Sequence, residues 1–407
     1  MNKRRIAVFT GNRAEYGLLY PLIRILNDRD DVEFHLLVSG AHLDRNFGGT
    51  LSEIAKDGFK VAAEIAINLS EDSLSATARA IGSGILSMVD ALSEIRPDIL
   101  VVYADRFEGF AAVIAGSQMG IPVAHIEGGD VTEGGALDDS VRHAMTKLSH
   151  LHFTTNLGAT NRILAMGEEP WRVHTVGFVD LDLIELGRLT KPADLSAKYD
   201  IDLGRPIVVF TQHSVALEVN EAAAQVKPSL AALEQLAERG VQVIVTYPNN
   251  DAGGRAIIAE IEAWKARALS PNIRIHSSLG QPNYHGFLAL GHDPQYRVAC
   301  VGNSSSGIKE TPAFRCPAVN IGSRQEGRLR AENAIDTPYD TQAILDAVNT
   351  CLFDEAFREK VRHVVNPYGS GNVGEKIADV LGGVELGPKL LRKKMVSRGE
   401  SKDGWYR

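Results

Sequence analysis

Short apolar runs alternate with longer amphipathic stretches along this chain, and the alternation begins at once. Arg5–Thr10 (RIAVFT) is a compact run of β-branched and aromatic residues, the pattern of a buried strand. In the next stretch, YGLLYPLIRILN, the positions Leu18, Leu19, Leu22, Ile25 and Leu26 fall on one helix face. The pair of patterns then recurs. Glu33–Ser39 reads as a strand, Ser73–Glu94 as a long helix and Asp98–Tyr103 as a strand. EGFAAVIAGSQMG is the next helix, Ile121–Glu127 a strand, DDSVRHAMTKLS a helix and LHFTT a strand. Such strand–helix alternation predicts a parallel sheet with helices on both faces.

A polar stretch, Leu183–Pro206, interrupts the rhythm with Pro192 and Pro206 and is the natural domain boundary. The alternation then restarts. Ile207–Thr211 is a strand, Ser229–Arg239 a helix, and VQVIVTYP, RIHS, VACVG and AVNIG are further strands. The reading is therefore α/β, with two Rossmann-like doubly wound domains, 1–185 and 186–370, expected to face a central cleft. A last helix near Asn372–Leu381, within 371–388, is expected to cross back onto the first domain. Residues 389–407 read as a basic, solvated tail.

A length of 407 residues suits two domains, and 44% hydrophobic with 23% charged residues is ordinary for a folded globular chain. Cys300, Cys316 and Cys351 have neither paired nor metal-ligand spacing, which argues against disulfides and structural zinc. The first apolar run, Ile6–Phe9, is too short for a secretion signal, and no stretch nears the ~18 apolar residues of a membrane helix. A net charge of −8 offers nucleic acid no general attraction. The expectation is a cytoplasmic protein with no nucleic-acid or membrane partner.

In doubly wound sheets, ligands bind beyond the carboxyl ends of the strands, so the residues after each strand carry the chemistry. TGNRAEYG follows the first strand: Gly11 permits a tight turn, and Arg13 with a helix start suits a phosphate. Asp105 and Arg106 follow the Asp98–Tyr103 strand. Glu127 ends the next strand, and two glycines after it let backbone approach a ligand closely. Asp138 and Asp139 open the following helix, where they either cap free amides or serve chemistry. Arg142, four residues on, has the spacing to pair with Asp138. His143 and His150 read as structural. Carboxylates gathered at adjacent strand ends are the arrangement that acid–base chemistry needs.

In the second half, His213 lies just past a strand and Asn249 sits in a strand-to-helix turn, YPNNDAGGR. GNSSSGIKETP is the strongest anion signal: Ser304, Ser305, Ser306 and Gly307 lead into a predicted helix whose amides and hydroxyls could cradle a diphosphate. Glu310 is placed to accept from a ribose diol, and Arg324 and Arg328 follow the next strand. Neither GxxxxGK[ST] nor GxGxxG after a strand is present, so ATP and NAD chemistry lack a motif. No cofactor or metal is expected.

These stretches, TGNRAEYG, ADRFE, HIEGGD, LDDSVRHAMTKLSHLHF, YPNNDAGGR, GNSSSGIKE and NIGSRQEGR, resemble the hydrolysing UDP-N-acetylglucosamine 2-epimerases of sialic-acid-type biosynthesis. They occur in family order from near residue 6 to about 382. The resemblance implies a fold like that of two-domain nucleotide-sugar glycosyltransferases (GT-B-like). It implies anti elimination of UDP to a 2-acetamidoglycal, then water addition to give the free 2-epimer, such as N-acetylmannosamine. The catalytic carboxylates of the family fall on Asp105, Glu127 and Asp138. Its phosphate and nucleotide contacts fall on Arg13, His213, Ser304, Ser305 and Glu310, and Arg106 falls where nucleotide or sugar is held. Partners would be a UDP-sugar and UDP, and the assembly a homodimer or homotetramer.

Two departures stand out. Gly17 and Leu18 occupy positions where some relatives carry a lysine, so leaving-group charge would rest on Arg13 and His213. The loop EGGDVTEGGALDD is longer than in some relatives and lies where the family holds its sugar. This leaves two sugars open, UDP-N-acetylglucosamine and the UDP-linked 2,4-diacetamido-2,4,6-trideoxy sugar of bacillosamine type. A glycosyltransferase and a non-catalytic nucleotide-sugar sensor are the competing classes.

Overall fold

The computed structural model describes residues 3–43, 51–67, 74–131, 137–186, 189–248, 253–267 and 270–396. It divides into two compact units. The first holds the chain up to Asp130, Leu137–Leu183 and the segment from Gly371 onward; the second holds Ile184–Ser370 together with Val131.

The first unit is a parallel sheet ordered β3-β2-β1-β4-β5-β6-β7. Its strands are β1 (Arg4–Thr10), β2 (Val32–Ser39), β3 (Val61–Ile65), β4 (Ile99–Tyr103), β5 (Val123–Ile126), β6 (Leu151–Thr154) and β7 (Val173–Thr175). On one face Ala7, Phe9, Leu37, Val102 and Val123 pack against Met88, Leu92, Ala112 and Met145, which come from the helices Leu74–Ile95, Phe107–Gln118 and Leu137–Leu148. The alternate residues Ile6 and Val8 are also buried, as a two-residue strand period requires when both faces are covered. The helix Arg13–Asp28 packs on the late helix Val373–Gly383. Asp182 anchors that late helix by accepting from the amides of Val373 (2.8 Å) and Gly374 (2.6 Å), two of the donors a helix start leaves unpaired.

The second unit repeats the plan with the order β10-β9-β8-β11-β12-β13, again parallel throughout. The strands are β8 (Ile207–Thr211), β9 (Gln242–Thr246), β10 (Ile273–His276), β11 (Val298–Gly302), β12 (Ala318–Ile321) and β13 (Ala334–Thr337). Val208 and Phe210 point into a core with the helices Ala222–Glu238, Gly254–Lys265 and Thr341–Phe353. Ile207 and Val209 point the other way, onto Leu195, Phe287 and Phe314. Both units are thus doubly wound, as the hydrophobic pattern predicts.

Three strands escaped the pattern: β3, β7 and β13. All are sheet edges of three to five residues, half exposed, without the continuous apolar run that marks a central strand. The reading of 389 onward as a solvated tail is corrected over its described part. Leu390 is fully buried, and Arg172 donates to the carbonyls of Lys389, Leu390 and Arg392. Among the described residues no helix is long and apolar enough to cross a membrane.

Candidate active site

In each sheet the strand order reverses once, between β1 and β4 and between β8 and β11. This is the switch point beyond which open α/β sheets hold ligands. Arg13 and Asp105 follow β1 and β4, and His213 and Ser304 follow β8 and β11, while Glu127 and Arg324 follow the neighbouring strands β5 and β12.

In the first unit, β1 runs into a turn at Gly11. Asn12 caps the following helix, its side chain accepting from the Glu15 amide at 3.0 Å, while the Glu15 carboxyl reaches back to the Gly11 amide at 2.7 Å. This reciprocal arrangement is a variant of the capping box in which the carboxyl takes the amide one residue before the cap. Arg13 is the first helical residue. Glu15 is buried, and Glu108 packs against the same turn from the helix after β4. Burial, and secondly the Glu108 carboxylate, push the Glu15 carboxyl up to about 7. Arg106 spans Glu108 at 3.2 Å and leaves half its side chain exposed. His42 touches Thr10 at 3.1 Å and is pushed down to about 4 by burial, so it is a neutral member of this wall.

The carboxylates predicted from sequence sit next door. β4 ends at Tyr103, and Ala104 then takes a left-handed backbone (φ 53°) that delivers Asp105. β5 ends at Ile126, and Glu127 is itself left-handed (φ 63°). Two non-glycine residues held in that region at the ends of adjacent strands mark a place where the fold over-determines the backbone to aim side chains. His125 supplies part of the clamp, meeting the Ala104 carbonyl at 2.6 Å and the Thr146 hydroxyl at 3.2 Å. Gly128 and Gly129 are required by packing: a Cβ on Gly129 would stand 2.5 Å from the Ala159 carbonyl. Glu127 is buried and accepts from the Tyr103 phenol. Burial, then Glu127, Asp180 and Asp130, hold Tyr103 well above its ordinary range, so it remains a neutral donor.

The helix Leu137–Leu148 brings the rest. Arg142, almost fully buried, donates to Asp139 (2.7 Å), to the Asp130 carbonyl (2.8 Å) and to Asp105. The expectation that Arg142 pairs with Asp138 is therefore corrected. Asp139, at the i,i+3 position, and the strand-end Asp105 take the guanidinium, while Asp138 is exposed on the helix's first turn. The structure thus gathers Asp105, Arg142 and Asp139 into one ion-paired group, with Glu127 at the neighbouring strand end.

In the second unit, Gly302 ends β11 with φ 131°, and a Cβ there would lie 1.8 Å from the Thr211 carbonyl. The next residue, Asn303, is fully buried. It accepts from the His213 amide (2.6 Å) and donates to the His213 carbonyl (2.8 Å), tying the loops after β8 and β11 together. Arg324 (3.3 Å) and Gln325 (2.9 Å) donate to the Asn303 carbonyl. Ser304 and Gly307, with Thr211, Gly302 and Asn320, line a small cavity at these strand ends. The helix expected after Ser304–Ser305 is a single turn, Ser306–Lys309, so the anion signal rests on loop amides and hydroxyls more than on a macrodipole. The Glu310 carboxylate accepts from the Ser306 hydroxyl (2.8 Å) and meets His285 at 2.9 Å, which orients it. Asn249 lies outside the described residues.

Sequence reasoning missed Tyr103, Asn303 and the Glu15–Glu108 wall. The first two were legible only as neighbours of motifs, one ending the strand before ADRFE and one following Gly302. The wall needs the fold, because 93 residues separate its carboxyls.

A family model for UDP-N-acetylglucosamine 2-epimerase matches residues 24–382. The chain is 32% identical over 390 residues to the UDP-N,N'-diacetylbacillosamine 2-epimerase (hydrolyzing) of Legionella pneumophila, covering 96% of this chain and 98% of that one. It is 31% identical over 350 residues to the UDP-N-acetylglucosamine 2-epimerase of Neisseria meningitidis serogroup B, covering 85% and 86%. In fold it is similar to the crystal structure of UDP-GlcNAc 2-epimerase from Neisseria meningitidis bound to UDP-GlcNAc. There the TM-score is 0.76 and the identity 18%, with 93% of this chain and 99% of that one covered.

Proposed function

The chain belongs to the UDP-N-acetylglucosamine 2-epimerase family, and on that premise we propose that it is a hydrolysing 2-epimerase of a UDP-linked N-acetylated amino sugar. The observation that carries the reading is the carboxylate set at the switch point of the first sheet: Asp105 paired with Arg142, Glu127 bonded to Tyr103, and Asp138 on the adjoining helix.

The C2 hydrogen of the sugar is not next to a carbonyl, so its removal must be concerted with loss of UDP. A base takes the proton, the C–H pair becomes the C1=C2 bond, and the C1–O pair leaves with UDP. In the second step C2 of the glycal is reprotonated and water adds at C1, losing a proton. The arginine offsets the charge of Asp105, whereas Glu127 meets a neutral phenol; this favours Glu127 as the group that takes the C2 proton. Asp138, exposed to solvent, suits the acid that draws its proton from water. Asp105, Asp139 and Arg142 would set the geometry. Arg13, His213 and the Ser304–Ser305 loop would stabilise the charge that grows on the departing diphosphate, and Ser306, Gly307, Glu310, Arg324, Asn249 and Arg106 would hold nucleotide and sugar.

UDP-N-acetylglucosamine, giving N-acetylmannosamine, is the first substrate proposed. UDP-N,N'-diacetylbacillosamine is the second, favoured by the near full-length similarity to the Legionella protein. The test is proton NMR in deuterated water with each sugar alone. Free 2-epimer deuterated at C2, with released UDP, supports the reading and names the sugar. Retention of the C2 proton refutes it. An unchanged spectrum with both sugars, and product only when a glycosyl acceptor is added, would replace it with a transferase.

A further inference from the structure

The segment after the late helix Val373–Gly383 follows a specific path over the first unit. Arg172, fully buried, holds it by donating to the carbonyls of Leu390 (2.7 Å), Lys389 (2.9 Å) and Arg392 (3.2 Å) while also meeting the His150 carbonyl (3.1 Å). Trp171 lies beneath two cations, the Arg172 guanidinium at 4.2 Å and the Lys389 ammonium at 5.2 Å. Further along, the Val396 amide donates to the Gly167 carbonyl at 2.8 Å. The segment is a strap fastened at both ends.

Between those fastenings lies Lys393. Its ammonium donates to the carbonyls of Thr146 (3.3 Å), Lys147 (2.8 Å) and Ser149 (2.5 Å), at the carboxyl end of the helix Leu137–Leu148. A helix leaves its last carbonyls without intrahelical donors, and a cation there also meets the negative end of its dipole. Lys393 further pairs at 2.8 Å with Glu168, a fully buried carboxylate that Lys147 (2.6 Å) and His152 (3.1 Å) also contact. One side chain from the strap thus closes the helix and completes the charge balance of a buried acid.

The other end of that helix carries Asp138 and Asp139, and Arg142 lies midway along it. Twelve residues span about 18 Å, and a helix that length moves as a rod. We infer that Lys393 is a positioning residue: by closing the carboxyl end of the helix it fixes the axial setting of Asp138 and Asp139 at the opposite end and of Arg142 midway along it. The consequence for turnover rests on the function proposed above; the consequence for the helix does not. Misplacement of reacting groups by about an ångström can cost two orders of magnitude in rate, so the strap would act on kcat more than on binding.

The test compares the full-length chain with Lys393→Met and Lys393→Arg, using whichever UDP-sugar the unaltered protein turns over. The expected result for folded Lys393→Met is a fall in kcat of about tenfold or more, with KM and UDP affinity nearly unchanged. Lys393→Arg, which keeps charge and donors, should recover most of the rate. A folded Lys393→Met that melts lower but keeps its kcat would make Lys393 purely stabilising and overturn the inference. Should Lys393→Met not fold, Trp171→Ala loosens the strap from its partly exposed side and is held to the same kcat criterion. Amide hydrogen exchange is the arm that needs no substrate. Exchange should quicken along 141–148 in Lys393→Met, or in Trp171→Ala if that variant has to stand in, and unchanged protection there overturns the inference. An unaltered protein that turns over no UDP-sugar would sink the proposed activity alone and leave exchange to decide the strap.

Discussion

Replacing Glu15 by glutamine should stabilise the protein above neutral pH and do little in mild acid. The carboxyl is buried in the first helical turn, accepts from the Gly11 amide at 2.7 Å and is pushed from 4.5 up to about 7 by burial and then by Glu108. Between those two values the folded state keeps a proton that the unfolded chain has released. Unfolding free energy therefore falls as pH rises through this window. At about 1.4 kcal/mol per pH unit, the interval is worth ~3 kcal/mol, lost between pH 4.5 and 7. Glutamine has nearly the same shape, retains an oxygen for the Gly11 amide and carries no charge to desolvate. Urea melts of both proteins at pH 5, 6, 7 and 8 measure the difference. It should be below ~1 kcal/mol at pH 5 and grow to ~3 kcal/mol in favour of the variant at pH 8. A difference that stays flat across the series would refute the reasoning, because the shifted carboxyl would then not be the group that titrates.

Asp105→Asn, Glu127→Gln and Asp138→Asn should each lower turnover by orders of magnitude while calorimetry still detects UDP; full activity in all three would remove the carboxylate assignment. Gly302→Ala should cost at least ~3 kcal/mol or prevent folding, since its Cβ would overlap the Thr211 carbonyl in a left-handed backbone; a wild-type urea midpoint would contradict this. Glu168 is held down at about 2 because its bonds to His152, Lys147 and Lys393 outweigh the opposing effect of burial. Its stabilisation is complete above its ordinary 4.5 and disappears as pH falls towards 2. Glu168→Gln should therefore be the less stable protein at pH 7, with the gap closing in acid, which circular dichroism melts would follow.

Central strands were legible because they are buried on both faces and so read as unbroken apolar runs, Ile207–Thr211 being the clearest case. Edge strands such as Val61–Ile65 alternate half-buried and exposed residues and resemble loops. The placement of the candidate residues beyond strand ends was legible too, because topology alone says where a doubly wound sheet holds ligands. Partner choice was not. Spacing offered Arg142 an aspartate four residues away, but burial decided for Asp139 and for Asp105, 37 residues distant in sequence. Lysine and arginine after Lys389 looked like solvated charge because composition cannot reveal that carbonyls and a buried glutamate await them.

The late helix has a consequence for how this chain is made. Arg4 donates to the Leu381 carbonyl, 377 residues away, and Asp182 waits for the amides of Val373 and Gly374. Ile184–Ser370, by contrast, is a contiguous stretch. During synthesis the second unit has nearly all of its chain while the first, although begun earlier, still lacks its closing helix. The earlier-translated sheet must wait, with the apolar face of Arg13–Asp28 uncovered, until Val373–Gly383 clears the ribosome. The order of completion is the reverse of the order of translation, and the interval of exposure is set by the length of the inserted unit.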